Sequence, residues 1–144
     1  MIEAAIVTPL LLLLTFSIVD FASLFYVYLA LENGVSQASR FGVTGNLLSD
    51  PSNPGNMLSR TDSIEAAMRA ATPTLTIDDS AFTFSHVSPG GTVWIGGTGG
   101  PGDIEKVTVD YTWNILTPLL KPFFTNGQVH FTVESAMKNE ARFQ

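Results

Sequence analysis

Between Ala4 and Leu31 the chain carries one charged residue, Asp20; Ala4–Val19 and Phe21–Leu31 are uncharged throughout. A run of that length is too long for a strand, and it reads as a helix surrounded by lipid or by other helices. It is apolar all round instead of striped, so it cannot be a surface helix with one wet face. From Glu32 to Gly45 polar residues enter while Val35, Ala38 and Phe41 keep helical spacing. The same helix is therefore expected to leave its apolar surroundings and lay one stripe on a folded head, with Gly42 and Gly45 as stop signals. No basic segment precedes the run, and the run is longer than the apolar part of a cleavable secretory signal, so a retained segment is expected.

Composition narrows the alternatives. Hydrophobic residues make up 45% of the 144 and charged residues 14%, against about a quarter charged in a typical soluble domain. The surplus apolar surface needs a partner outside the head. There is no cysteine, which excludes a disulfide framework, thiol catalysis and a thiolate metal site. The net charge is −6 with no basic cluster, so the chain alone offers no surface for nucleic-acid phosphates.

Two segments are expected: residues 1–45 as a membrane or filament-core helix, and residues 46–144 as the head. Residues 46–60 are rich in Asn, Ser, Pro and Gly and read as loop. Ile64, Ala67, Met68 and Ala71 then form a helical stripe; Asp62 with Glu65 suggests a capping box at its start and Pro73 marks its stop. Strand-like alternation follows at Phe82, Phe84 and His86, at Val107, Val109, Tyr111 and Trp113, and at Val129, Phe131 and Val133. Strands with one apolar face, and a helix to cover it, predict an α+β head with an antiparallel sheet. Between the first two strands, SPGGTVWIGGTGGPG reads as a glycine-rich excursion with a small hairpin around Val93 to Ile95.

The opening IEAAIVTPLLLLLTFSIVDFASLFYVYLALENGVSQASRFG resembles the start of the TadE-like proteins of tight-adherence (type IVc) pilus systems: a glutamate, an alanine step, a proline, a leucine run, an acidic residue before Phe, then a helix rich in small residues. VTVDYTWNILTPLL and SAMKNEARF are similar to the family's later segments. The resemblance implies a subunit cut by a prepilin peptidase, held in the bacterial inner membrane, and drawn by pilus assembly machinery into an extracellular pilus. Its partners would be copies of itself or other pilins. In type IV pilins the acidic residue stands a little further from the mature start than Glu3 does.

Candidate assembly residues follow. Glu3 borders the apolar run, where a carboxylate is costly unless interfacial or paired; the pilin resemblance implies a neighbour's α-amino group as partner. Asp20 lies about 25 Å further along a helix, nearly the thickness of a hydrocarbon core of about 30 Å. Asp20 is therefore expected at the opposite interface, with Phe21 and Phe25 in an aromatic belt beside it; burial among packed helices is the alternative. Pro9 removes one helical hydrogen bond and invites a bend. Trp94, among glycines, is a candidate surface contact, whereas Trp113, Tyr111, Phe131 and Phe84 read as core. His86 and His130 lack a second ligand at metal spacing, and Asp50, Asn53, Asn56, Asp78 and Asp79 read as turn residues bonding their own backbone. No nucleophile, acid–base pair or phosphate loop converges, so no cofactor and no enzymatic activity is expected. The expectation is a structural pilin serving surface attachment; the alternative is a membrane-anchored accessory pseudopilin or adhesin that binds partners through head loops.

Overall fold

The computed structural model describes residues 2–118 and 120–143, and its architecture is α+β: a long apolar helix α1 (Ile2–Gly42), a short helix α2 (Arg60–Ala71) and a four-stranded antiparallel sheet. The strands are β1 (Phe82–Val87), β2 (Ile95–Gly96), β3 (Ile104–Asn114) and β4 (Gln128–Lys138), in the order β2-β1-β3-β4. Phe82, Phe84 and His86 of β1 stand opposite Val109, Val107 and Glu105 of β3. The alternation read from the sequence is thus the inner face of the sheet. On β3 and β4, Gln128 donates to Asn114 (3.0 Å) and Thr132 donates to Asp110 (2.6 Å). The hairpin expected inside the glycine-rich excursion is absent: Ile95 and Gly96 pair with His86 and Ser85, so the excursion supplies an edge strand to β1.

The chain forms two compact units, one of residues 1–29 with 111–131, the other of residues 30–110 with 132–144. In the second unit, Leu31, Val35 and Ala38 of α1 are buried with Ile64 and Met68 of α2 and Val107, Val109 and Val133 of the sheet. The buried stripe begins earlier than the expected Val35, at Leu31 in this unit, where the helix meets its cover. Gly34 lies against Thr72 and Met68, and a Cβ at Gly42 would come within 2.9 Å of Ile64 Cδ1. A larger residue at either position would have to displace the Thr72 or Ile64 side chain.

Helix α2 starts earlier than the Asp62 capping box suggested. Its N-cap is Ser59, whose Oγ accepts from the Asp62 amide at 3.1 Å. Ser59–Asp62 and Asp62–Glu65 have the same spacing, and the serine wins because Glu65 is buried and paired elsewhere, with Arg69 at 3.3 Å. Arg69 also donates to the Ile77 carbonyl (3.0 Å), bonds Asp79 and stacks over Phe82.

The early start places Arg60 at the head of α2, facing inward. Its Nη2 lies 2.7 Å from Glu105 Oε2 and also donates to the Gly42 carbonyl (2.9 Å) and Asn139 Oδ1 (3.0 Å), while Nη1 donates to the Gly99 carbonyl (2.7 Å). The guanidinium packs on the Phe143 ring, 4.3 Å from its centroid. One cation thus joins the end of α1, the start of α2, the glycine-rich loop, β3 and the C-terminal segment. Desolvation dominates both partners: it pushes the Glu105 carboxyl above its ordinary value and the Arg60 guanidinium below its own, against their mutual attraction. Glu105 Oε1 and Arg60 Nε are buried without a hydrogen-bond partner among the described residues.

Removing one partner leaves the other buried and unpaired, so Arg60→Ala should cost about 3–5 kcal/mol of stability, and Arg60→Met with Glu105→Leu should recover much of it. Because the folded-state pKa of Glu105 is raised, its contribution is most favourable below the unfolded value of 4.5 and declines as pH rises through the interval above it. Thermal unfolding of the detergent-solubilised chain should show that decline, and Glu105→Gln should flatten this component.

Candidate assembly helix

Helix α1 runs for 41 residues, about 60 Å, and is long and apolar enough to cross a membrane. In the first unit its surface is largely bare: Ile6, Val7, Leu10, Leu11, Leu12, Leu14, Ile18 and Val19 are all exposed. Three hydroxyls in this stretch turn inward on the helix. Thr15 donates to the Leu11 carbonyl (2.8 Å), Ser17 to Leu13 (2.7 Å) and Ser23 to Val19 (3.0 Å). Such back-bonding leaves no donor searching for water and suits apolar surroundings. Glu3 is exposed in the first turn, and Pro9 sits inside the continuous helix.

Asp20, expected at the opposite membrane interface, is covered within its own chain, with 4% of its surface exposed. Oδ1 accepts from the Leu116 amide at 3.2 Å, and Oδ2 has no hydrogen-bond partner among the described residues. Beside it lies a cavity of about 20 Å³ lined by Phe21, Leu24, Trp113, Ile115, Leu120, Phe124 and Val129. The physical reason is the turn after β3: its amides need acceptors and its apolar side chains need cover, and one face of α1 supplies both. Phe21, at the edge of that cavity, and Phe25 remain exposed, at 53% and 60%. Tyr28 packs on Phe131 with ring centroids 5.9 Å apart.

Trp94 is exposed between Val93 and Ile95, which are exposed as well, and Lys106 Nζ lies 4.9 Å from its ring centroid. Asp50 is a turn residue: it accepts from the side chain of Asn53 (2.9 Å) and the amide of Ser52 (2.8 Å), and these bonds hold its carboxyl below its ordinary value. Among the described residues no group of three or more His, Asp or Glu side chains is placed to hold a metal ion. Sequence reasoning missed the Arg60–Glu105 pair and the Asp20–Leu116 bond. The TPLLKPFF run of residues 117–124, too apolar for an ordinary loop, was the signal available for the second.

Residues 1–40 match the family model of TadE-like proteins, a span that coincides with α1 and supports a Tad pilus-associated protein. No curated protein and no solved structure matches the chain.

The Asp20–Leu116 bond has a direct readout. A hydrogen bond to a charged group contributes about 1.5–3 kcal/mol, so Asp20→Leu should speed hydrogen exchange at the Leu116 amide by about tenfold or more, whereas Asp20→Asn, which keeps an acceptor oxygen, should largely preserve protection. Equal protection in all three forms would show that Asp20 does not hold the turn.

Proposed function

We propose, taking the TadE-like N-terminal helix as premise, that this chain is a non-catalytic structural subunit of a Tad (type IVc) pilus, stored in the inner membrane and assembled through α1 into an extracellular filament used for surface attachment. The observation that carries the reading is the bare apolar surface of α1 from Ile6 to Val19. In water that surface is unsustainable, at about 25 cal/mol per Å². In lipid it is at rest, and outside lipid it needs other helices of the same character.

Glu3 supplies an element of register. A carboxylate carried toward hydrocarbon is costly unless neutralised, and the α-amino group of an adjacent subunit is a partner of the right charge. Pro9 and the exposed Phe21 and Phe25 lie on the stretch such neighbours would cover. A second reading, a membrane-anchored accessory pseudopilin or adhesin, draws on the exposed Val93, Trp94 and Ile95; three adjacent apolar side chains on a head loop suit a protein contact.

Filaments sheared from the native cells, imaged by electron microscopy with mass spectrometry of their main band, should contain this chain as a principal component with α1 in the filament core. Recovery of the chain from the membrane fraction alone would favour the accessory reading.

A further inference from the structure

We infer that this protein has a second membrane contact besides α1: Leu116–Pro118 and Lys121–Phe124 rest in the interfacial zone of the bilayer leaflet nearest the end of the span, as a lipid-binding foot. The inference rests on the reading that α1 spans a bilayer before assembly. It is carried by depth. Counting 1.5 Å per residue from Glu3, Phe16 stands about 20 Å along α1 and Leu24 about 31 Å, so with Glu3 at one boundary of a hydrocarbon core of about 30 Å these residues bracket the opposite boundary. The Leu116 amide is bonded to Asp20, Leu116, Thr117 and Pro118 share a hollow with Phe16, and Phe124 lines the Asp20 cavity with Phe21 and Leu24. The segment is therefore carried to the level of the lipid boundary.

Its chemistry fits that level. Phe123 is 74% exposed and Leu116 60%, with Phe124 partly exposed beside them. Aromatic and leucine side chains at the headgroup boundary are stabilised there, and the exposed Lys121 can send its ammonium to lipid phosphates while its stem stays among acyl chains. The backbone is prepared as well. The amides of Leu120, Phe123, Phe124 and Gly127 are bonded to the carbonyls of Thr117, Leu120, Lys121 and Phe124, and Pro118 and Pro122 have no amide hydrogen to satisfy. Each amide so bonded is one donor fewer to be satisfied at a lipid boundary. The same exposed side chains facing water would form an apolar patch with no purpose.

The chain has no cysteine, which makes the test direct. Single cysteines replace Phe123, Leu116, Leu12 and Ser52 in the full chain, each carries an environment-sensitive fluorophore, and the proteins are reconstituted in vesicles of phosphatidylethanolamine and phosphatidylglycerol containing shallow or deep spin-labelled lipids. Labels at Phe123→Cys and Leu116→Cys should be quenched several-fold more by shallow than by deep quenchers, Leu12→Cys mainly by deep ones, and Ser52→Cys by neither. If Leu12→Cys is quenched while Phe123→Cys and Leu116→Cys behave like Ser52→Cys, the foot is overturned and the spanning reading stands. If Leu12→Cys escapes quenching too, the spanning reading itself has failed. Protection at Phe123→Cys that disappears on dilution of protein with lipid would overturn the foot in favour of a second copy as the occupant.

Discussion

The apolar surface of α1 between Ile6 and Val19 sets the terms for everything else in this protein. A helix with no wet face must always be covered, and the cover can be exchanged but never removed. Lipid and neighbouring helices are nearly equivalent as solvents for leucine, so passage from one to the other involves little hydrophobic driving force; packing and the few polar groups decide it. That gives disproportionate weight to the rare polar side chains of α1. The hydroxyls of Thr15, Ser17 and Ser23 are spent on their own helix, Asp20 on the Leu116 amide, and Glu3 is left exposed in the first turn.

In the second unit the same helix becomes an ordinary core element. Leu31, Val35 and Ala38 are buried, and Gly34 and Gly42 admit α2 to close approach. Arg60 then joins the elements that meet there through one guanidinium bonded to a carboxylate, an amide oxygen and two carbonyls. A buried ion pair is weak evidence for stability, since desolvation consumes most of its attraction, but its directed bonds are geometrically specific. Its contribution is best understood as fixing how the ends of α1 and α2, the glycine-rich loop and the C-terminal segment come together.

What the sequence disclosed follows from the reach of periodicity. The span of α1, the stripe of α2 and the inner faces of β1, β3 and β4 are all repeating patterns over neighbouring residues, and each is found where the pattern lies. The contacts that decide the details are long-range. Asp20 meets Leu116 across 96 positions and Arg60 meets Glu105 across 45, and no local rule pairs them. The cover that the turn after β3 gives Asp20 was thereby not legible, and the α2 cap was placed on Asp62 when Ser59, at the same spacing, accepts from the Asp62 amide. The edge strand β2 was invisible for another reason: two residues among glycines carry no alternation, and only their pairing with β1 makes them a strand. The family match is confined to residues 1–40 and says nothing of the head.

The central claim is that the bare face of α1 is covered by lipid first and by copies of the same helix later. A photo-crosslinking amino acid at Leu14, introduced in the native cells and activated in membranes and in sheared filaments, tests it most directly. The account predicts lipid adducts from the membrane fraction and a ladder of covalent self-oligomers from the filaments. Reaction in both fractions with one unrelated protein, and no self-adduct in either, would contradict it.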